Sequence, residues 1–380
     1  MKRFLKRISE LDELNKATLI IFILGIIINI AAWVSVPFCD FYRRTVFRAI
    51  LRVYGGITSL FPFSVGELMI IIAVILVAAA ILNGILLVIF RKSTGRVKAF
   101  SKKYIKIFLF LVSSVFLVMT LNCFILYHAT SFGESELKTD NEYTIEDLEK
   151  LRNKIVTQCN ELSGRLVRDD AGNIIYEKDV YHESVKCMKA LGEKYELLSG
   201  FYPGVKTIAF SGFMSQQYVS GVFFPFSMEA NVNGVMYLPN YPAVICHELA
   251  HIKGYIYEDD ANFIGYLATV NSDDIFIKYS GYLSVLYYVD NDYYDAVSLE
   301  EGRYEAQPAI EDIVHFDNVF LTQEQWKSVE DSAVISTDVV SQVSDIAMDT
   351  SLKVNGVSDG ITSYSRVVEL LLRYEASKGF

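Results

Sequence analysis

Three long apolar runs lie in the first third of the chain, and they constrain its architecture more than any other feature. Residues 17–36, 66–90 and 104–126 carry only Glu67 and Lys106 as charges, both near an edge. Each run is close to the ~20 residues that a helix needs to cross the hydrocarbon core. A single run of this kind can be a buried core helix, but three before residue 130 read as membrane spans. No small-residue cleavage site follows the first run, so it reads as an anchor rather than a removable leader.

Charge divides the chain at the same place. Residues 1–127 carry 16 Lys/Arg against 5 Asp/Glu, and the remainder carries 19 against 40. The predicted organisation is a membrane region over 1–130 and a water-soluble domain over 131–380. An acidic domain without a basic patch excludes a nucleic-acid partner. Lys2, Arg3, Lys6, Arg7 and Lys16 precede the first run, and Arg91, Lys92, Arg96, Lys98, Lys102 and Lys103 lie between the second and third. The positive-inside rule makes both segments cytoplasmic and puts the soluble domain outside after three crossings. Between the first two runs, Arg43, Arg44, Arg48 and Arg52 alternate with Val46, Phe47, Ile50 and Leu51. That pattern over 41–60 predicts an amphipathic helix lying on the outer face of the bilayer, the expected lipid partner.

The soluble part reads as helices, then strands, then helices, which is α+β. Thr144 opens a helix to about Ser163, and a second runs over 180–198. The segments 205–213, 218–224 and 232–238 are β-branched and aromatic and predict a small, mostly antiparallel sheet. Helical period returns near 242 and recurs over 259–271, 274–289, 323–353 and 362–376. Cys39, Cys123, Cys159, Cys187 and Cys246 are scattered, with neither metal nor disulfide spacing.

The chemistry-bearing motif is His247-Glu248-Leu249-Ala250-His251 in a helix-compatible run. On a helix, positions i and i+4 share one face, so both imidazoles can bind one Zn²⁺. Glu248 is placed to hold a water and take its proton. With five histidines in 380 residues, a chance occurrence has a probability of roughly a few in a thousand. A third protein ligand is still needed. Gly254 can end this helix, and Glu258-Asp259-Asp260-Ala261-Asn262 opens the next. A tight turn can bring Glu258 back to the histidines, with Asp259 and Asp260 as competitors. Asn262, one turn on, is expected to orient a histidine ligand.

Glu258-x-x-Ala261-Asn262 after the His pair resembles the signature of gluzincin-type metallopeptidases. More closely, the chain resembles the bacterial domain-of-unknown-function 3810 family. The similar stretches are 221–233, 247–254 with 258–263, and 352–356 with 360–364. The resemblance implies a zincin-like domain, zinc as cofactor, a peptide or protein substrate, and a multi-pass protein of the bacterial cell membrane, whose catalytic domain the charge pattern makes extracytoplasmic. Members more often carry Glu where Asp260 stands here, which keeps Asp260 open as third ligand. In zincin-like folds the strand before the motif helix lines the cleft, so Glu229, Asn231 and Val232 are expected to meet substrate by strand addition. One of the tyrosines 279, 282, 287, 288, 293, 294 and 304 is a candidate hydrogen-bond donor to an oxyanion, and Arg303 and His315 are further polar candidates. The rival to a membrane-anchored zinc metallopeptidase is an inactive zinc-binding sensor or scaffold.

Overall fold

The computed structural model describes residues 11–89, 95–137, 143–358, 360 and 366–378. The basic residues at 2–7 and at 91–92, and residues 361–364 of the last similar stretch, lie outside them. Helices make up 71 % of the described residues, with three long apolar ones near the N-terminus and a small mixed sheet.

The three apolar runs form helices α1 (Glu13–Val34), α3 (Val65–Ile89) and α4 (Gly95–Met119). All three are long and apolar enough to cross a membrane, and most of their surface is exposed for lipid. Gly25 lets α1 approach α4, because a Cβ there would lie 2.6 Å from the Phe116 ring. Several polar groups of these helices are paired with one another, as a medium without water favours. Asn29 donates to Thr120 Oγ1 at 2.6 Å, Ser101 to Asn83 Oδ1 at 2.8 Å and Tyr104 to the Leu76 carbonyl at 2.6 Å.

Residues 36–58 form α2, an almost continuous helix with two π-helical turns, Arg43–Phe47 and Leu51–Gly55. The sequence reading lays this arginine-rich helix on the bilayer surface, a placement that the structure leaves open. One of its faces, with Tyr42, Arg43, Phe47 and Leu51, is buried against the globular domain. Arg43 sits 4.8 Å over the Tyr255 ring, and Tyr54 donates to the Phe226 carbonyl at 2.8 Å. The other face leaves Phe41, Val53 and Ile57 exposed, and Leu60 just past its end is exposed too. The hydrophobic core therefore runs without a break from Cys39 through Tyr127 and Phe132 to Tyr374, across the boundary expected at 130.

Beyond the spans, α5 (Phe132–Glu136), α6 (Ile145–Ser163) and α7 (Val180–Lys194) lead to the sheet. The capping box of Thr144 with Asp147 starts α6 where the sequence places it. The strands are β1 (Lys206–Ile208), β2 (Gly221–Phe224) and β3 (Glu229–Asn233), and the short helix α8 (Ser211–Gln216) replaces the end of the first expected strand. Sheet order is β1-β3-β2, with β1 parallel and β2 antiparallel to β3, so the sheet is mixed rather than mostly antiparallel. Helices α9 (Tyr241–Ile252), α10 (Glu258–Val270) and α11 (Ile275–Val297) follow as a packed set. The run expected over 323–353 is two helices, α13 (Gln323–Ser332) after the short α12 (Asp312–Asp317), and α14 (Thr337–Val354). Helix α15 (Val367–Lys378) returns to the core.

Candidate metal centre

Helix α9 starts with Pro242 in its first turn, where a missing N–H costs nothing. It ends at Gly254, whose φ of +88° only glycine adopts freely. The chain then reverses through Tyr255–Tyr257 into α10. Gly265 sets the distance between the two helices, since a Cβ there would lie 3.1 Å from the Ala243 carbonyl oxygen and 3.2 Å from His247 N.

This hairpin brings His247, His251 and Glu258 together, with one ligand atom from each within 4.8 Å of the others. The two Nε2 atoms are 3.0 Å apart, and Glu258 Oε2 lies 3.1 Å from His247 Nε2 and 3.6 Å from His251 Nε2. The opposite ring nitrogens fix the tautomers. His251 Nδ1 faces the Tyr255 carbonyl at 2.7 Å, which can only accept, so that nitrogen carries the proton. His247 Nδ1 donates in the same way to Asn262 Oδ1 at 2.8 Å. In neutral rings both Nε2 atoms then present lone pairs to each other and to a carboxylate oxygen. Such a meeting is repulsive unless a proton or a cation lies at the centre. Two imidazoles and one carboxylate, each imidazole oriented by an acceptor behind it, suit zinc.

Electrostatics without a metal express the same tension. Burial works against a charged His251, but the adjacent Glu258 carboxylate overrides it and raises the imidazole to about 9. Burial likewise opposes ionisation of Glu258, and the two imidazoles outweigh it and hold the carboxyl well below the usual carboxylate range.

Glu248 lies beside the cluster, its Oε1 4.0 Å from His247 Nε2. Its carboxyl is buried, and Oε2 has no hydrogen-bond partner. Burial pushes it up to about 7 against the pull of both imidazoles. Gly221 of β2 packs directly on it, where a Cβ would come within 2.3 Å of Oε1.

The competing acids are occupied elsewhere. Asp260 accepts from the Phe132 and Gly133 amides at 2.6 and 3.1 Å and so caps α5. Asp259 pairs with Arg366 at 3.3 Å. The expectation for Glu229, Asn231 and Val232 needs correction, because β3 is the central strand and all three are buried. Glu229 binds Lys206 and accepts from the Val65 and Gly66 amides at 3.2 and 2.7 Å, capping the span α3. Asn231 donates to the carbonyls of Val222 and Glu229. The strand at the cleft is β2, whose outer edge pairs with no described strand.

A cleft of about 710 Å³ opens over the cluster, with β2 on one wall and Tyr127, from the extension of span α4, on another. Of the seven candidate tyrosines only Tyr288 lines it. Tyr279, Tyr293 and Tyr304 donate to Asp317, Glu149 and Asp290 instead. Arg303 is held by Glu146, Glu149 and Glu300, and His315 is exposed on α12. Sequence reasoning missed Gly221 and Tyr127. The glycine at the head of a strand was a visible signal of close approach.

A family profile described as Protein of unknown function (DUF3810) matches residues 42–372. No curated protein and no solved structure matches the chain.

Proposed function

The chain belongs to the DUF3810 family, and we propose that it is a membrane-anchored zinc metallopeptidase that cleaves peptide bonds outside the cell. The observation that carries this reading is Glu248. Its buried, unpartnered Oε2 sits beside a three-donor cluster and lines the cleft. A purely structural metal site closes its fourth position with protein and has no use for such a carboxyl.

His247, His251 and Glu258 would hold the ion. Zinc bound there supplies a Lewis acid that lowers the pKa of a water and polarises a carbonyl. Glu248 orients the attacking water, accepts its proton and returns it to the departing amine nitrogen. The free edge of β2 offers backbone groups to an extended substrate, so that the scissile bond lies along the cleft. Tyr288, the cleft-lining member of the tyrosine set, donates to the oxygen that gains charge. The extracytoplasmic placement rests on the basic flanks of the spans.

The test is Glu248→Gln in the full-length protein in lipid nanodiscs. Zinc content should stay at the wild-type level while cleavage of a peptide library falls about 10²–10⁴-fold. Undiminished cleavage would sink the proposal. Full zinc content with no cleavage by the wild type would favour the sensor or scaffold reading.

A further inference from the structure

Helix α14 is held mainly at its ends. At its start, Gln216 of α8 donates to the Ile335 carbonyl at 2.7 Å and to Thr337 Oγ1 at 3.3 Å. Helix α8 is itself fixed to a span, because Glu67 at the head of α3 accepts from the Ala209 and Phe210 amides at 3.0 and 2.8 Å. Just past the other end of α14, Gly356 lies against Trp33, where α1 leaves its apolar run. The helix thus bridges two points set by the exits of two spans.

Its faces are chemically distinct. Val340 and Leu352 are buried, and Asp345 and Met348 line the cleft over the candidate metal centre. On another face, Val339, Val343, Ile346 and Val354 fall at helical spacing and are 53 %, 63 %, 68 % and 71 % exposed. At 100° per residue, Asp338, Asp345 and Asp349 all fall on the flank to one side of this stripe, and Lys353 lies at its margin. Phe210, beside the head of α3, and Phe213 of α8, which borders a groove with Val339 and Val343, are exposed as well. An apolar stripe of this length on a helix with few buried residues needs a cover.

We propose that α14 is an interfacial helix whose Val339–Val343–Ile346–Val354 stripe rests in the lipid surface and sets one wall of the cleft at the bilayer. The occupant is lipid because the stripe is continuous with surfaces that already meet it. Both tether points lie at span exits, and exits lie at the membrane surface. The acidic flank lies to one side of the stripe, where Lys353 at the margin pairs with Asp349 at 2.7 Å and so keeps the flank's charge off the apolar face. On α2, Val53 and Ile57 are exposed and apolar as well, as is Leu60 just past its end.

The five native cysteines are all buried, so single cysteines introduced by Val343→Cys, Ile346→Cys and Asp338→Cys take a nitroxide label selectively. The full-length protein is reconstituted in phosphatidylcholine–phosphatidylglycerol vesicles, and each label's accessibility to oxygen and to a water-soluble nickel chelate is measured. Labels at 343 and 346 should favour oxygen, and the label at 338 should favour nickel. Nickel-accessible labels at 343 and 346 would overturn the proposal. So would spin–spin broadening, which would mean a second copy covers the stripe. Shielding from both reagents would mean that protein covers it. None of these readouts depends on peptidase activity, so this inference and the proposed function fail separately.

Discussion

At the scale of single residues, the position of Glu248 is set from below by Gly221, which leaves no room for a methyl group. Gly221→Ala should therefore displace the carboxyl by a fraction of its length while leaving His247, His251 and Glu258 in place. We expect zinc content to be unchanged and kcat to fall about 10²-fold, the scale of a 1 Å misplacement. An unchanged kcat would show that the carboxyl adapts or is not used. Only the ionised Glu248 can accept a proton. Burial raises it to about 7 without metal, and a bound cation lowers it from there. Cleavage should therefore rise with pH through an acid limb whose midpoint lies at or below 7, and Glu248→Gln should leave no residual limb in the pH–rate profile. The His pair and Glu248 were legible in sequence because helical spacing alone puts them together. The role of Asp260 was not, since its partners at Phe132 and Gly133 are more than a hundred residues away.

At the scale of elements, the α9–α10 hairpin was readable from Gly254 and the acidic start of the next helix. The existence of three strands was readable too, but their order was not. A pleated segment declares its two faces and says nothing of which neighbour it pairs with. β3 became the centre of the sheet because both its edges are used, and this turned Glu229 from an expected substrate contact into a structural joint. Glu229 compensates the buried Lys206 ammonium and also caps α3, so it fastens the sheet to a span. Glu229→Gln should leave that ammonium buried without a counter-charge and destabilise the protein by about 3–5 kcal/mol. Thermal unfolding in nanodiscs would check this, and a melting temperature equal to wild type would count against the joint. The double variant Glu229→Gln with Lys206→Met should recover part of the loss.

At the scale of the whole molecule, the membrane region and the globular domain share one core. Phe47, Leu51, Leu126 and Tyr127 are buried in the same cluster as Leu249 and Phe263. Tyr127 also lines the cleft, and its carbonyl accepts from Tyr257 at 2.5 Å. A fragment of 131–380 should therefore expose a large apolar face and lose the zinc content expected of the full chain. Metal content and near-ultraviolet circular dichroism of fragment and full chain decide this. A fragment with native zinc content and a fixed aromatic signal would show that the shared core is dispensable.

The sequence by itself determined the three apolar helices, the charge division, the His247–His251 pair and the acid one helix further on. These features are local, because helical periodicity, span length and short-range turns follow from residues close together in the chain. Only the tertiary structure decided which of three acids joins the histidines, which strand borders the cleft, and that the arginine-rich helix α2 packs on the domain. Those choices depend on partners distant in sequence. Arg43 finds the Tyr255 ring, Asp260 finds the α5 amides, and Glu229 finds Lys206 and the head of α3. Each is settled by burial of a charge that must be paired where it is buried, a constraint that exists only once the core has closed around it.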